Sequence, residues 1–189
     1  MDVFACLFSS IVGHSIEQLV QRLPIPKNTT DPEDIRNLLI TNWNKNGFQL
    51  RISFRLITKT KGEHGRGDIL KLAGLVCGVV FKHQSEKTLY VAGDTVWYDA
   101  IQEEIDTHQP EIIVVNGGNN QFFEGGSLVM GKEDIYETHQ AAPHAKIIVS
   151  HMEAVNHWTL SREELKSFIH EKGMSSHVLV PEDGESYSF

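Results

Sequence analysis

Two histidines and one aspartate stand where apolar runs end. Asp94 closes Leu89-Tyr90-Val91-Ala92-Gly93, His64 sits in Glu63-His64-Gly65-Arg66-Gly67, and His151 follows Val149-Ser150. A β-branched and aromatic run stopped by glycine reads as a buried strand, whose end delivers a side chain to the rim of a sheet, where open α/β folds build their sites. Two imidazoles and a carboxylate from three strand ends are the usual ingredients of a transition-metal site. Taken alone, Asp94 reads more often as the cap of the helix over Trp97 to His108; the two histidines favour the site. His157, six positions after His151, is read either as a group that orients a substrate or supplies an acid, or as a loop histidine bonded to backbone. Asn116 and Gly117, at the end of the apolar run Ile112 to Val115, are placed to meet a substrate phosphate or carbonyl, or to make a plain turn.

The elements that must hold these groups can be read from periodicity. Ala73 to Lys82 and Thr88 to Ala92 flank Gln84-Ser85-Glu86-Lys87 and predict a β-hairpin that ends at Asp94. Tyr98, Ile101 and Ile105 mark a helix, Ile112 to Val115 a fully apolar strand, Ile135 to Ala142 a helix and Lys146 to Ser150 another buried strand. This is a β-α-β rhythm. The last helix opens on the capping box Ser161-Arg162-Glu163-Glu164 and stops at Gly173, before a strand over His177 to Pro181. Upstream, Ser15 to Leu23 and the segment after Asp31-Pro32 predict helices, and Leu50, Ile52, Phe54 and Leu56 alternate with polar residues as a half-buried strand leading toward His64.

Composition bounds the rest. The 189 residues are 40% hydrophobic and 22% charged, ordinary material for one domain with its own core. A formal charge of −8 and a pI near 5.6 argue against nucleic acid held by bulk charge. Two cysteines in apolar runs make no disulfide framework and point to the cytoplasm. Val3 to Val12 lacks the flanks of a signal peptide, and no run is long enough to span a membrane. Ser150-His151 with Asp94 invites a serine-hydrolase reading, but Ser150 lies in no GxSxG elbow. Pro181 to Glu185 is rich in carboxylates yet matches no EF-hand spacing and reads as an exposed turn.

Gly93-Asp94-Thr95 after a hairpin, a histidine thirty residues before it, and a histidine at a later strand end resemble the metallo-β-lactamase-fold hydrolases. The branch most similar contains ascorbate-6-phosphate lactonase-like and phospholipase D-like enzymes. The resemblance is strongest over Gln49 to Phe189. It implies an α/β fold of the αββα sandwich type, one domain over residues 1–189, incomplete at its N-terminal side. It also implies that His64 binds one metal, that Asp94 bridges two, and that His151 binds the second. The family's HxHxDH string is absent from the chain; Ser9-Ser10-Ile11-Val12-Gly13-His14 keeps only its last histidine, which makes His14 a relic candidate ligand.

A catalytic zinc site takes about three protein ligands and an open position for water. His64, Asp94 and His151 meet that count for one ion, zinc or another divalent transition metal, and fall short of two. The expected function is a metal-dependent hydrolase in which metal-bound hydroxide attacks an ester, lactone or phosphodiester of a small-molecule substrate, with Asp94 and His157 as its catalytic groups. The alternative is a catalytically silent or truncated member that serves in binding or assembly. The early strands of the family are missing, so an exposed apolar edge and a homo-oligomer are expected.

Overall fold

A computed structural model describes residues 56–121 and 126–189. The elements are β1 (Leu56–Lys59), a 3-10 turn (Gly67–Ile69) running into α1 (Leu70–Ala73), β2 (Val79–His83), β3 (Glu86–Gly93), α2 (Asp99–His108), β4 (Ile112–Asn116), α3 (Lys132–Ala141), β5 (Lys146–Ser150), α4 (Arg162–Glu171) and β6 (Val178–Leu179). The strands form one sheet in sequence order, antiparallel from β1 to β3 and parallel from β3 to β6. Each parallel step is spanned by one helix. Right-handed crossovers that advance across a sheet in one direction lay their helices on the same face.

That face holds the main core. Val80, Tyr90, Ile113, Ile147 and Val178 are register partners across five strands, and they pack with Ile101 and Ile105 of α2, Ile135 of α3, and Leu165 and Ile169 of α4. Side chains alternate along a strand, so the neighbouring register row, Val79, Val91, Val114, Ile148 and Leu179, faces the other way. Among the described residues the second cluster, built on Val79, Phe81 and Val91, contains strand residues only. Apolar side chains on both faces are what a parallel sheet buried on both sides requires.

Several expectations hold in detail. The hairpin turns through Gln84-Ser85, with His83 paired to Glu86, and α4 carries the full capping box between Ser161 and Glu164. Others are corrected. The strand expected from Ala73 starts only at Val79, because residues 70–73 make a helical turn that Gly74 ends at φ 77°. The third helix starts earlier than expected, at Lys132 rather than Ile135. The helices expected before residue 50, the strand over residues 50–55 and His14 lie outside the described residues.

Candidate functional site

The parallel register decides which side chains share an edge. Gly93 pairs with Val115, and Asn116 pairs with Ser150, so β3, β4 and β5 end side by side and hand over to Asp94, Gly117 and His151. Gly93 turns the chain at φ 74°, and a Cβ there would lie 2.9 Å from the Cys77 carbonyl oxygen. Only glycine fits such a turn. Asp94 leaves it half-buried, and it does not cap α2, whose N-cap is Tyr98 without a side-chain bond.

His64 reaches the same edge through a staple. The Glu63 amide donates to Thr95 Oγ1 at 2.9 Å, the Val96 amide donates to the Glu63 carbonyl at 2.9 Å, and Thr95 is fully buried. The loop of His64 is thereby tied to the two residues after Asp94. His64 Nδ1 lies 3.1 Å from the Leu128 carbonyl oxygen. A carbonyl only accepts, so this contact selects the Nδ1–H tautomer and puts the lone pair on Nε2, the atom a metal would take. Arg66, two residues on, donates to the Trp97 carbonyl at 2.7 Å and stands 3.5 Å from Asp134 Oδ1. Burial, the larger influence, pushes the Asp134 carboxyl up, against the backbone amides and Arg66 that pull it down.

His151 adopts φ 58°. A non-glycine residue held in the left-handed region costs about 1–3 kcal/mol, and such strain gathers at functional sites. Beside it, Asn116 is 2% exposed. Its Nδ2 donates to Asp94 Oδ1 at 2.6 Å, and its Oδ1 accepts from Ser150 Oγ at 2.9 Å. Gly117 is buried, and a Cβ on it would meet Val149 Cγ1 at 2.4 Å and Met152 Sδ at 2.7 Å. Close packing beneath the His151 turn therefore demands glycine there. The Gly118 carbonyl accepts from the amides of Thr159 and Leu160 and draws the loop of His157 to the rim. His157 is exposed, with Nδ1 3.4 Å from Asn156 Oδ1, and its carbonyl accepts from the Gln121 amide.

The donor types at this edge suit a divalent transition ion. Yet among the described residues no three His, Cys, Asp or Glu side chains gather into a group that could hold one. His64, Asp94 and His151 share the edge without meeting at a single point. Asp94 is engaged by Asn116 through Oδ1, and the His64 ring by Leu128 through Nδ1. Sequence reasoning missed the Leu128 carbonyl and the roles of Thr95 as the staple's acceptor and of Ser150 as the donor to Asn116. Thr95 did leave a signal, a hydroxyl directly after Asp94 and before the apolar Val96.

No family model matches the chain. It is 77% identical over 134 residues to the UPF0173 protein YddR of Bacillus subtilis (strain 168), a match covering 70% of this chain and 53% of that protein. It spans about half the length of that curated relative. Among solved structures, an isothiocyanate hydrolase from Delia radicum gut bacteria matches with TM-score 0.68 and 42% identity, over 70% of this chain and 53% of that one. A possible metal-dependent hydrolase from Veillonella parvula DSM 2008 matches with TM-score 0.65 and 39% identity, over 68% and 52%. For the fold alone, the metallo-β-lactamase fold protein YhfI from Bacillus subtilis matches with TM-score 0.50 at 12% identity, over 70% and 49%. The chain shares the metallo-β-lactamase fold. Asp94 and His151 directly follow the ends of β3 and β5, as the apolar runs of the sequence lead one to expect.

Proposed function

We propose that this chain is a metal-dependent hydrolase acting on an ester, lactone or phosphodiester of a small molecule. One observation carries the reading: Asp94 and His151 leave the ends of parallel strands that share one edge, and the loop of His64 is stapled beside them at Thr95 and Val96. In this reading Asp94, His64 through Nε2 and His151 hold one zinc ion, and His14 is a further donor candidate. A bound divalent ion supplies Lewis acidity and lowers the pKa of its water to about 7. The chain's own groups orient the reacting centre. In this reading the exposed ring of His157 meets a substrate or its leaving group, and Gly117 contributes a backbone contact to the substrate. Two cysteines that make no disulfide framework fit a reducing compartment, the cytoplasm.

A second reading has its own support. No three-donor group forms among the described residues, which a member that binds or assembles without turnover accounts for. Zinc stoichiometry by mass spectrometry, beside initial rates on activated phosphodiesters, lactones and an isothiocyanate, separates the two. We expect at most one zinc per chain and slow hydrolysis that Asp94→Ala abolishes along with the zinc. Equal rates in wild type and Asp94→Ala would remove the activity from this site. Zinc retained without any turnover would favour the binding protein.

A further inference from the structure

We infer, on the reading that Asp94 is a metal ligand, that Asn116 is a positioning residue that aims the Asp94 carboxylate at the rim and couples it, through Ser150, to the turn that carries His151. At 2% exposure Asn116 has almost no access to solvent, so its amide must be satisfied within the protein. Both ends are. The Nδ2 bond to Asp94 Oδ1, at 2.6 Å, has the shortness of a charge-assisted bond to a carboxylate. The Ser150 hydroxyl donates to Asn116 Oδ1 at 2.9 Å and lies 3.4 Å from the Val115 carbonyl. One side chain thereby spans the ends of β3, β4 and β5.

The residue type is what the geometry needs. Asn116 ends β4 as the register partner of Ser150, and Gly93, just before Asp94, pairs with the preceding residue, Val115. Only a side chain with a donor toward β3 and an acceptor toward β5 satisfies both neighbours. Aspartate here would set two carboxylates against each other, and an apolar residue would leave Asp94 without its donor. Engagement of Oδ1 leaves the second carboxylate oxygen of Asp94 as the donor atom for an ion. Asn116 itself is too deeply buried to touch a substrate. This assigns it a different role from the substrate contact expected from its place after an apolar run.

Two measurements on the full chain test the assignment. The first is hydrogen exchange of the Asn116 side-chain amide in the metal-free protein, followed by ¹⁵N NMR. Exchange at least tenfold slower than for an exposed asparagine is expected, with the protection lost in Asp94→Ala. Free exchange in the wild type, or protection indifferent to Asp94→Ala, overturns the inference. The second is zinc affinity by chelator competition in Asn116→Val and Asn116→Thr, which share a shape and differ in one hydroxyl donor. Removing a residue that orients a ligand costs about 10–100-fold in metal affinity. The valine variant should show that loss and the threonine variant should regain part of it. Equal affinities in the two variants, whatever their melting temperatures, overturn the inference. A protected amide in a wild-type chain that binds no zinc would instead sink the metal reading and leave the Asn116–Asp94 coupling standing. If Asn116→Val does not fold, the exchange measurement on wild type and Asp94→Ala decides alone.

Discussion

Each histidine at the candidate site is held differently, and the differences predict different responses to substitution. His64 is fixed through its ring, by Nδ1 against the Leu128 carbonyl, whereas His151 is fixed through its backbone, at φ 58°. His151→Gly removes the left-handed strain and should stabilise the metal-free chain by about 1 kcal/mol. The same change deletes the imidazole and should lower zinc affinity, so stability and binding move in opposite directions. Urea unfolding of the metal-free protein and chelator competition check the two halves. A glycine variant less stable than wild type would show that the His151 side chain makes packing contacts that outweigh its strained backbone.

The elements separate a chemical end of the sheet from a structural one. At the end opposite the site, α3 finishes beside the start of β6, and the rings of His139 and His177 lie 5.5 Å apart. Nδ1 of His139 is buried without a partner. Burial, and then the neighbouring His177, hold the His139 pKa below its ordinary value of about 6.5. As pH falls, the unfolded chain takes up a proton there before the folded one does. The contribution of His139 to stability is therefore complete above about pH 6.5 and is lost as pH drops through its depressed value. Melting temperatures of wild type and His139→Gln, measured from pH 7.5 to 5.5, should diverge, with the wild type losing ground toward acid. A constant difference across that range would contradict the account. Because this pair sits far from Asp94, the acid loss of stability should leave zinc affinity per folded molecule untouched by the substitution.

At the scale of the whole molecule, four large apolar side chains stand exposed on β1 and around the end of α1. Leu56 and Ile57, on β1, are 54% and 37% exposed, and Leu72 and Leu75, around the end of α1, are 85% exposed each. β1 is the terminal strand of the described sheet, and exposed strand edges with apolar side chains promote association. Size-exclusion chromatography with light scattering should give a mass above the 21.3 kDa of one chain. Leu72→Lys combined with Leu75→Lys should shift it toward the monomer. A monodisperse wild-type monomer would end the expectation of a homo-oligomer. No helix among the described residues is long and apolar enough to cross a membrane.

Local signals carried much of this protein in its sequence. Gly93-Asp94 ends β3 because glycine alone makes the turn, Ser161 and Glu164 cap α4 reciprocally, and the apolar runs at Ile112 and Lys146 are parallel strands joined by amphipathic helices. Each of these is set by residues within a few positions of one another. The partners of the functional groups were not legible. Asn116 is 22 residues from Asp94, and Leu128 is 64 residues from His64. Hydrogen bonds between them depend on distances of about 3 Å and on direction, which follow from how strands remote in sequence align. The same alignment buries Gly117 against Val149 and Met152 and leaves His64, Asp94 and His151 on one edge without a common centre. The sequence by itself determined which groups reach the rim; the tertiary structure decided what each one faces there.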